Sequence, residues 1–173
     1  MIGNDIIDLS LTGSITEKHL QKYYSREDLI NFGKDEYWKI LALKESAWKC
    51  ANKLIGLNSF IPPHFTIDGE MKFVKYGTIV LPVILLEKNN DYIHAIVGTQ
   101  GVTSWKICNN LEHRSDFEKE YFYKTGIFPD VVKVQLPTSP NGWSFPVIMN
   151  DPRTSLTFSH DGRFSCYAYK TSK

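Results

Sequence analysis

The segment from Tyr37 to Ile55 has the periodicity of an amphipathic helix. At 100° per residue its apolar side chains fall on one stripe, which runs through Tyr37, Ile40, Leu41, Trp48, Ala51 and Ile55. A charged run, Lys44-Glu45-Ser46-Ala47-Trp48-Lys49, interrupts this stripe. Lys44 falls in the middle of the stripe, and Glu45 and Lys49 follow one of its edges a turn apart. A carboxylate flanked by two ammonium groups beside the core could bind a metal ion and a phosphate.

Charged residues in such positions are also common on helices that have no chemical role. Lysine stems often run along apolar surface with the ammonium group in water, and a glutamate four residues before a lysine is an ordinary surface pair. Taken alone, the charged run is therefore better explained by helix packing and solvation. A functional interpretation needs partner residues elsewhere in the chain.

The balance of charges limits the classes of binding partner. The chain has 173 residues, with 20 lysines and arginines, 19 acidic residues and a net charge of +1. Proteins that coat nucleic acid or an anionic membrane carry a clear basic excess. We therefore expect no nucleic-acid partner and no membrane partner, and any anion site has to be local.

Other features favour a soluble protein of the reducing cytoplasm. The three cysteines, Cys50, Cys108 and Cys166, are odd in number and lack the spacing of metal ligands. No stretch approaches the roughly 20 apolar residues of a membrane-spanning helix. Asp5 and Asp8 stand where a signal peptide would be basic and then apolar. The length fits one domain that spans residues 1–173.

Strand patterns lie on both sides of the long helix. The N-terminal run to Leu9 indicates a strand, and cap-like residues near Ser14 and Ser25 predict two short helices before the long one. β-branched and aromatic runs after Pro62 predict further strands at 65–67, 72–74, 78–86, 92–97, 103–107, 131–136 and 155–169. A helix at 111–123 and a loop at 137–142 complete the pattern. The sequence thus predicts an α+β fold, with an antiparallel sheet packed against the long helix and no internal repeat.

The N-terminal strand carries the first candidate ligand. Asp5 faces the same way as Gly3 and Ile7, whereas Asp8 faces the opposite way, so the two acids are not expected to form one bidentate site. An aspartate in an apolar strand is costly to bury without a cation or several donors. Asp5 together with Glu45 would suit magnesium, which takes one or two carboxylates and fills its shell with water and phosphate oxygens.

A polar group near the C-terminus is the second partner. From Ser159 to Arg163 the chain offers a hydroxyl, the imidazole of His160, a glycine and a guanidinium, which together suit contact with a phosphate. The alternative is a polar turn, because Asp161-Gly162 is a strong hairpin signal. By itself the turn explains this segment better.

These three segments together resemble the 4′-phosphopantetheinyl transferase superfamily. Its members have a strand with Gly-x-Asp, a helix with Lys-Glu-Ser/Ala-x-x-Lys and a Ser-His motif on a neighbouring strand. The matching segments are Gly3-Asn4-Asp5, Lys44 to Lys49 and Ser159-His160-Asp161-Gly162-Arg163. The resemblance implies the fold of that family. It also implies transfer of the phosphopantetheine arm of coenzyme A to a serine of an apo acyl or peptidyl carrier protein, as in fatty acid or secondary metabolite biosynthesis.

The resemblance also implies roles for individual residues. Asp5 and Glu45 would bind a magnesium ion, and both would act in catalysis together with Lys49. Lys49 would contact the phosphates of coenzyme A, and Lys44 could orient Glu45 or contact phosphate. The general base could be Glu45 or a water on the metal ion.

Coenzyme A would also be held by the C-terminal motif. His160, with Ser159 and Arg163, would bind one of its phosphates. A second acid found two positions after the metal aspartate in some members is Ile7 in this chain, although Asp8 follows and could assist the metal.

The order of the motifs, with Ser-His last, resembles the single-repeat holo-acyl-carrier-protein synthase branch. The residues of the motif, Ser-His-Asp-Gly-Arg-Phe, are more similar to those of the two-repeat branch, in which the site lies between two similar halves. Residues 68–130 have no counterpart that can be placed, and they are interpreted as a possible insertion. Single-repeat members form trimers with sites between subunits, so a homotrimer is predicted in which Asp5 and Glu45 face His160 of another subunit.

Two other classes of function remain open on these residues. One is a non-catalytic relative that binds coenzyme A or a carrier protein, and the other is a small α+β interaction module with an accidental motif match. A metal-dependent nuclease is disfavoured, because Ala47 stands where the usual Glu-x-Lys spacing needs a lysine and because there is no basic excess.

Overall fold

The computed structural model describes residues 1–57, 59–99, 101–102, 104–109, 112–135 and 144–171. The α-helices in these ranges are α1 (Glu17–Tyr23), α2 (Arg26–Asn31), α3 (Tyr37–Ile55) and α4 (His113–Thr125). The strands are β1 (Ile2–Asp8), β2 (Phe65–Ile67), β3 (Phe73–Tyr76), β4 (Ile79–Lys88), β5 (Tyr92–Gly98), β6 (Ser104–Cys108), β7 (Val131–Gln135), β8 (Ser144–Ile148), β9 (Ser155–Asp161) and β10 (Phe164–Lys170). The expected α+β class is confirmed.

The described strands form two antiparallel sheets that repeat one topology. The first sheet has the order β1-β5-β4-β3-β2, and the second has the order β6-β10-β9-β8-β7. Each half begins with a strand, continues through a helix, α3 or α4, and ends with four strands of which the last pairs with the first. The sequence shows no internal repeat, and the shared strand order of the two halves appears only in the structure.

The segment 68–130 is part of this repeated architecture. It supplies β3, β4 and β5 to the first sheet, and β6 and α4 to the second half. The segment is integral to the first sheet, because β5 is the strand that joins β1 to the rest of that sheet.

Helix α3 packs on β1 and β5 through the predicted apolar stripe. Most of the stripe is buried, with Ile40 and Ala51 fully enclosed, although Ile55 at its end is exposed. The helix ends at Gly56, which adopts a left-handed conformation with φ of 65°, a conformation that glycine reaches without strain. The predicted helix at 35–55 is confirmed.

The two halves meet where β1 lies against β9 and β10. Buried polar groups join them: the Asn4 amide donates to the Cys166 sulfur at 2.9 Å, and the Thr157 hydroxyl donates to Asn4 Oδ1 at 2.9 Å. These bonds fix β1 relative to the second sheet.

Strands β9 and β10 form the hairpin that Asp161-Gly162 predicts. Gly162 has φ of +52°, and a Cβ there would lie 2.4 Å from Asp8 Oδ2. Ser159 and His160 consequently lie within β9, on opposite faces of the strand, and not in the turn.

The single predicted sheet is two sheets, and the single final strand predicted at 155–169 is the pair β9 and β10. Two further differences concern the segment after α4. Strand β8 was not predicted, and the predicted loop at 137–142 lies outside the described residues. None of the described helices has the length and apolar character needed to cross a membrane.

Candidate functional site

A glycine brings α3 unusually close to β1. A Cβ at Gly3 would lie 2.0 Å from the Ser46 carbonyl oxygen and 2.7 Å from the Cys50 backbone nitrogen. No side chain fits in that space, so only glycine permits this contact. The Ser46 hydroxyl also donates to the Ala95 carbonyl on β5 at 3.0 Å. The close approach brings the charged edge of α3 next to the carboxylate of Asp5.

Three segments that are distant in sequence meet at Asp5. Its Oδ1 atom accepts hydrogen bonds from Lys49 Nζ at 2.9 Å and from the Ser159 hydroxyl at 2.9 Å. Lys49 Nζ also donates to Ser159 Oγ at 3.1 Å and lies 3.3 Å from Glu45 Oε1. We call Asp5, Glu45, Lys49 and Ser159 the α3 centre.

Burial shifts the pKa of the acid in the α3 centre, and the ion pair with Lys49 opposes that shift. Burial raises the pKa of Asp5 above its ordinary range, although Lys49 opposes this shift. Burial would lower the pKa of Lys49, but Asp5 and Glu45 outweigh it and hold that pKa above the ordinary value. Lys49 therefore stays charged at neutral pH. A further cation beside Asp5 would favour the charged form of that acid.

Lys53, one helical turn further along α3, bonds to β1 and β9 as Lys49 does. Its Nζ donates to the carbonyl of Ile2 in β1 at 2.8 Å and to the carbonyl of Leu156 in β9 at 2.7 Å. Burial lowers the pKa of Lys53 to about 7, and nearby Lys49 adds to that shift. Two lysines on one helix face thus hold the same two strands together.

A cavity of about 650 Å³, which we call the His113 cavity, opens on one side of the α3 centre. Its cationic and imidazole side chains are Lys49, His113, Arg114, Lys133 and His160. Glu45 is the carboxylate among its described lining residues. Although the chain is nearly neutral, this cavity is locally basic and suits a ligand with several phosphates.

A second cavity of about 310 Å³, the Trp38 cavity, opens on the other side. Asp5, Glu45 and His160 line one part of it, and apolar side chains that include Trp38 and Leu41 line another. Glu45 and His160 border both cavities, so a group held between these two side chains can be approached from two directions.

The structure brings together five of the seven residues that the sequence selects. Asp5, Glu45, Lys49 and Ser159 form the α3 centre, and His160 lines both adjoining cavities. These residues come from one chain. The expectation that Asp5 and Glu45 face His160 of another subunit is therefore wrong, and the site does not require a trimer.

Lys44 lies elsewhere. It is fully buried, and its ammonium donates to Asp28 and, at 3.4 Å, to the Tyr23 carbonyl. Burial lowers the pKa of Lys44, although Asp28 opposes the shift. This ion pair joins α2 to α3, so the expectation that Lys44 contacts phosphate or orients Glu45 is not met.

Arg163 and Asp8 pair with each other on the opposite face of β1. The guanidinium donates from Nε to Asp8 Oδ2 at 3.0 Å and from Nη2 to Asp8 Oδ1 at 2.9 Å, and Ser10 also donates to Oδ1. The hydrogen bonds from Arg163 hold the pKa of Asp8 below its usual range. Arg163 is thus committed to Asp8 and lines neither cavity, and Asp8 is not placed to assist a metal at Asp5.

The α3 centre has donors that suit magnesium. Two carboxylates, Asp5 and Glu45, converge on one cation, which is the ammonium of Lys49. Among the described residues, no group of three or more histidine, cysteine, aspartate or glutamate side chains is arranged to hold a metal. A magnesium ion here would take two protein carboxylates and rely on water and substrate oxygens for the rest of its shell.

Three residues of the basic cavity were missed by sequence reasoning. His113, Arg114 and Lys133 come from the second half of the chain and have no spacing that marks them as a group. His113 Nδ1 is buried with no partner among the described residues. Burial, together with His160, lowers the pKa of His113, so its imidazole is neutral at neutral pH. Only the topology places these side chains opposite Lys49.

Comparisons with known proteins add no relatives. No protein-family model matches this chain, no curated protein matches it, and no solved structure matches it. The resemblance to the phosphopantetheinyl transferases therefore depends on the three motifs and on the geometry described above.

Proposed function

We propose that this protein transfers the 4′-phosphopantetheine group of coenzyme A to a serine of a carrier protein. The observation that carries this proposal is the meeting of Asp5, Glu45, Lys49 and Ser159 at the junction of two halves that share one topology. The family that the motifs resemble has a site of this composition, and in its two-repeat branch the site lies between similar halves.

In this proposal each of the two cavities binds a different substrate. The His113 cavity, with its lysines, arginine and imidazoles, takes the phosphorylated nucleoside end of coenzyme A. The Trp38 cavity, which has an apolar wall beside Asp5 and Glu45, takes the hydroxyl-bearing segment of the carrier protein. The reacting phosphate then lies between them, next to Lys49.

The reaction exchanges one phosphorus–oxygen bond for another. The serine oxygen bonds to the phosphorus that carries the pantetheine arm, and the bond from that phosphorus to the bridging oxygen breaks. Adenosine 3′,5′-bisphosphate leaves with the electron pair. Glu45, whose half-exposed side chain borders both cavities, accepts the serine proton. Lys49 stabilises the negative charge on the phosphates, and Ser159 holds Lys49 and Asp5 in register.

Magnesium held by Asp5 and Glu45 would neutralise the pyrophosphate as the leaving group departs. Lys49 pairs with both carboxylates and lines the His113 cavity, so its ammonium is placed to contact the substrate phosphates. Burial raises the pKa of Asp5, and a cation beside a buried acid favours its charged form.

The proposal is tested by incubating the protein with coenzyme A, magnesium and an apo carrier protein, and by measuring the mass of the carrier. We expect the mass of one phosphopantetheine group to be added. The test uses several carrier proteins of the acyl and the peptidyl type. If coenzyme A binds but no carrier gains mass, the non-catalytic binding module is the better description.

A further inference from the structure

Strands β1 and β9 belong to different sheets, and side chains of β9 join them. Four alternate residues of β9 form hydrogen bonds with β1 through their side chains: Ser155, Thr157, Ser159 and Asp161. Alternate residues of a strand share one face, so this face of β9 is turned towards β1. We call these four bonds the β1–β9 seam.

Two neighbouring bonds of the seam differ in what they contact. The Ser159 hydroxyl donates to Asp5 Oδ1 at 2.9 Å and so belongs to the α3 centre. The Thr157 hydroxyl donates to Asn4 Oδ1 at 2.9 Å. Thr157 and Asn4 are buried, and neither is among the described residues that line the His113 cavity or the Trp38 cavity. Their bond can therefore act on a substrate in these cavities only through the α3 centre.

Asn4 bonds to both strands of the hairpin that carries Ser159. Its Oδ1 atom accepts from Thr157, which lies two positions before Ser159 in β9. Its amide donates at 2.9 Å to the sulfur of Cys166, which is directly opposite Ser159 in β10. Because Asn4 is next to Asp5 in β1, these two bonds fix where Ser159 lies relative to that acid.

The bonds of Ser159 are sensitive to its position. Its hydroxyl has one proton, which it donates to Asp5, and its oxygen accepts from Lys49 Nζ at 3.1 Å. Hydrogen bonds weaken steeply when their angle departs from the favoured range. A shift of β9 along β1 would therefore loosen both bonds and change the relation of Lys49 to Asp5.

We propose that the bond between Asn4 and Thr157 positions Ser159 in the α3 centre. This inference rests on the proposed function, in which Lys49 and Asp5 act on the phosphates of coenzyme A. A misplacement of about 1 Å at reacting groups can reduce a rate about 100-fold. The bond should therefore affect the rate of transfer more than the binding of coenzyme A.

The first test compares substitutions at Thr157 in the transfer assay. Thr157→Val keeps the shape of the side chain and removes its hydroxyl, whereas Thr157→Ser keeps the hydroxyl. We expect Thr157→Val to lower kcat about tenfold with an unchanged KM for coenzyme A. Thr157→Ser should keep most of the wild-type kcat. Asn4→Leu removes the acceptor and should lower kcat as Thr157→Val does, and the Thr157 variants decide the matter if Asn4→Leu does not fold.

Thr154→Val is the matched control. Thr154 is also a buried threonine, and its hydroxyl donates to Asp151 Oδ2 at 2.6 Å, outside the seam. We expect this variant to be less stable than the wild type and to keep its kcat per folded molecule. An equal loss of kcat in Thr154→Val and Thr157→Val would contradict a positioning role. A higher KM with an unchanged kcat in Thr157→Val would contradict it too.

A second test measures unfolding and needs no carrier protein. Thr157→Val and Ser159→Ala are titrated with urea singly and together. If the Thr157 bond holds Ser159 in place, its removal costs less once the Ser159 hydroxyl is absent. We expect Thr157→Val to raise the unfolding equilibrium constant about tenfold in the wild type and about threefold or less in Ser159→Ala. Equal factors in the two backgrounds would overturn the inference.

The two tests separate this inference from the proposed function. If the wild type modifies a carrier and Thr157→Val has the same kcat, the positioning role is wrong and the transferase proposal stands. If no carrier gains mass although the two hydroxyls are coupled in unfolding, the transferase proposal and the effect on its rate are wrong. The hold of Asn4 and Thr157 on Ser159 is then supported on its own.

Discussion

The two halves of the chain place a Glu–Lys pair at the same spacing on helices of corresponding position. Glu45 and Lys49 form this pair on α3, and Glu120 and Lys124 form it on α4. We call Glu120, Lys124 and the donors around them the α4 centre. One topology has thus produced two polar centres, and their surroundings differ.

The carboxylate of the α4 centre accepts hydrogen bonds from several donors of its own half. Glu120 accepts hydrogen bonds from Lys124, Ser104, Tyr167 and Tyr169. Burial would raise the pKa of Glu120, but these donors outweigh it and hold the pKa below its ordinary value. Its carboxylate is therefore saturated, as expected for a structural network.

The α3 centre, in contrast, is left incomplete. Asp5 and Glu45 share one ammonium, the pKa of Asp5 is raised, and two cavities open beside them. The difference teaches that the Glu–Lys spacing does not identify a functional site. What differs between the two centres is the number of fixed donors around their carboxylates.

The largest expected effect is on activity. Glu45→Ala removes a proposed metal ligand and proton acceptor, so transfer to a carrier protein should fall about 1,000-fold, or roughly 4 kcal/mol in the barrier. The mass of the carrier reports this loss, and circular dichroism should show the fold intact. Glu120→Ala is the matched control, which should retain transfer activity per folded molecule. An equal loss of transfer activity in both variants would contradict the view that the α3 centre acts in transfer and the α4 centre does not.

The close contact of α3 with β1 should be nearly as sensitive. Gly3→Ala places a Cβ 2.0 Å from the Ser46 carbonyl oxygen, so the helix must move away. We expect a loss of about 3 kcal/mol in the free energy of unfolding, measured with urea, and weaker coenzyme A binding. Gly33→Ala is the control, because a Cβ at Gly33 meets no atom within 4 Å and its φ is −77°. A stable Gly3→Ala protein would mean that the contact is looser than described.

The α4 centre should contribute to stability rather than to activity. Glu120→Ala leaves several part-buried donors without their acceptor, including the hydroxyl of Tyr167. The free energy of unfolding should fall by about 2 kcal/mol. A urea titration of Glu120→Ala beside Glu45→Ala measures the difference. Glu45 is more exposed and, among the described residues, pairs with Lys49 alone. A larger loss in Glu45→Ala would reverse the comparison.

A fourth effect is on the pH dependence of stability, and it is the smallest when expressed per pH unit. Burial lowers the pKa of Lys53 to about 7, whereas an unfolded lysine titrates near about 10.4. Between these values the unfolded chain binds more protons than the folded one, so Lys53 makes the free energy of unfolding rise with pH. Lys53→Met should reduce this slope by up to about 1.4 kcal/mol per pH unit, the value for one proton.

Lys124→Met is the control for this measurement. The hydrogen bond to Glu120 raises the pKa of Lys124, so both the folded and the unfolded chain keep that lysine charged over the same pH range. Urea titrations across this range should therefore show an unchanged slope for Lys124→Met. A slope in Lys53→Met that equals the wild-type slope would show that Lys53 is not desolvated.

Much of the fold could be predicted because its signals are local. The stripe on Tyr37–Ile55, the glycine that ends this helix and the Asp161-Gly162 turn each act within a few residues. The repeated strand order could not be predicted, because pairing of β1 with β5 and of β6 with β10 depends on contacts far apart in the chain.

The candidate site was predictable to a similar extent. Helix periodicity places Glu45 and Lys49 on one edge of α3, and residue type and the order of the motifs join them with Asp5, which the structure places beside them. Lys44 could not be assigned correctly, since its partner Asp28 belongs to a helix that the sequence identifies only by its cap. The basic residues of the second half, such as Arg114, become visible only when the halves are placed together.

Whether the α3 centre binds a cation and coenzyme A together can be measured without knowing the carrier protein. Coenzyme A is titrated calorimetrically into the wild type and into Glu45→Ala, each with and without magnesium. We predict that magnesium strengthens binding to the wild type about tenfold or more and has no effect on Glu45→Ala. Binding of equal strength under all four conditions would contradict the assignment of Asp5 and Glu45 as a metal-assisted transfer site.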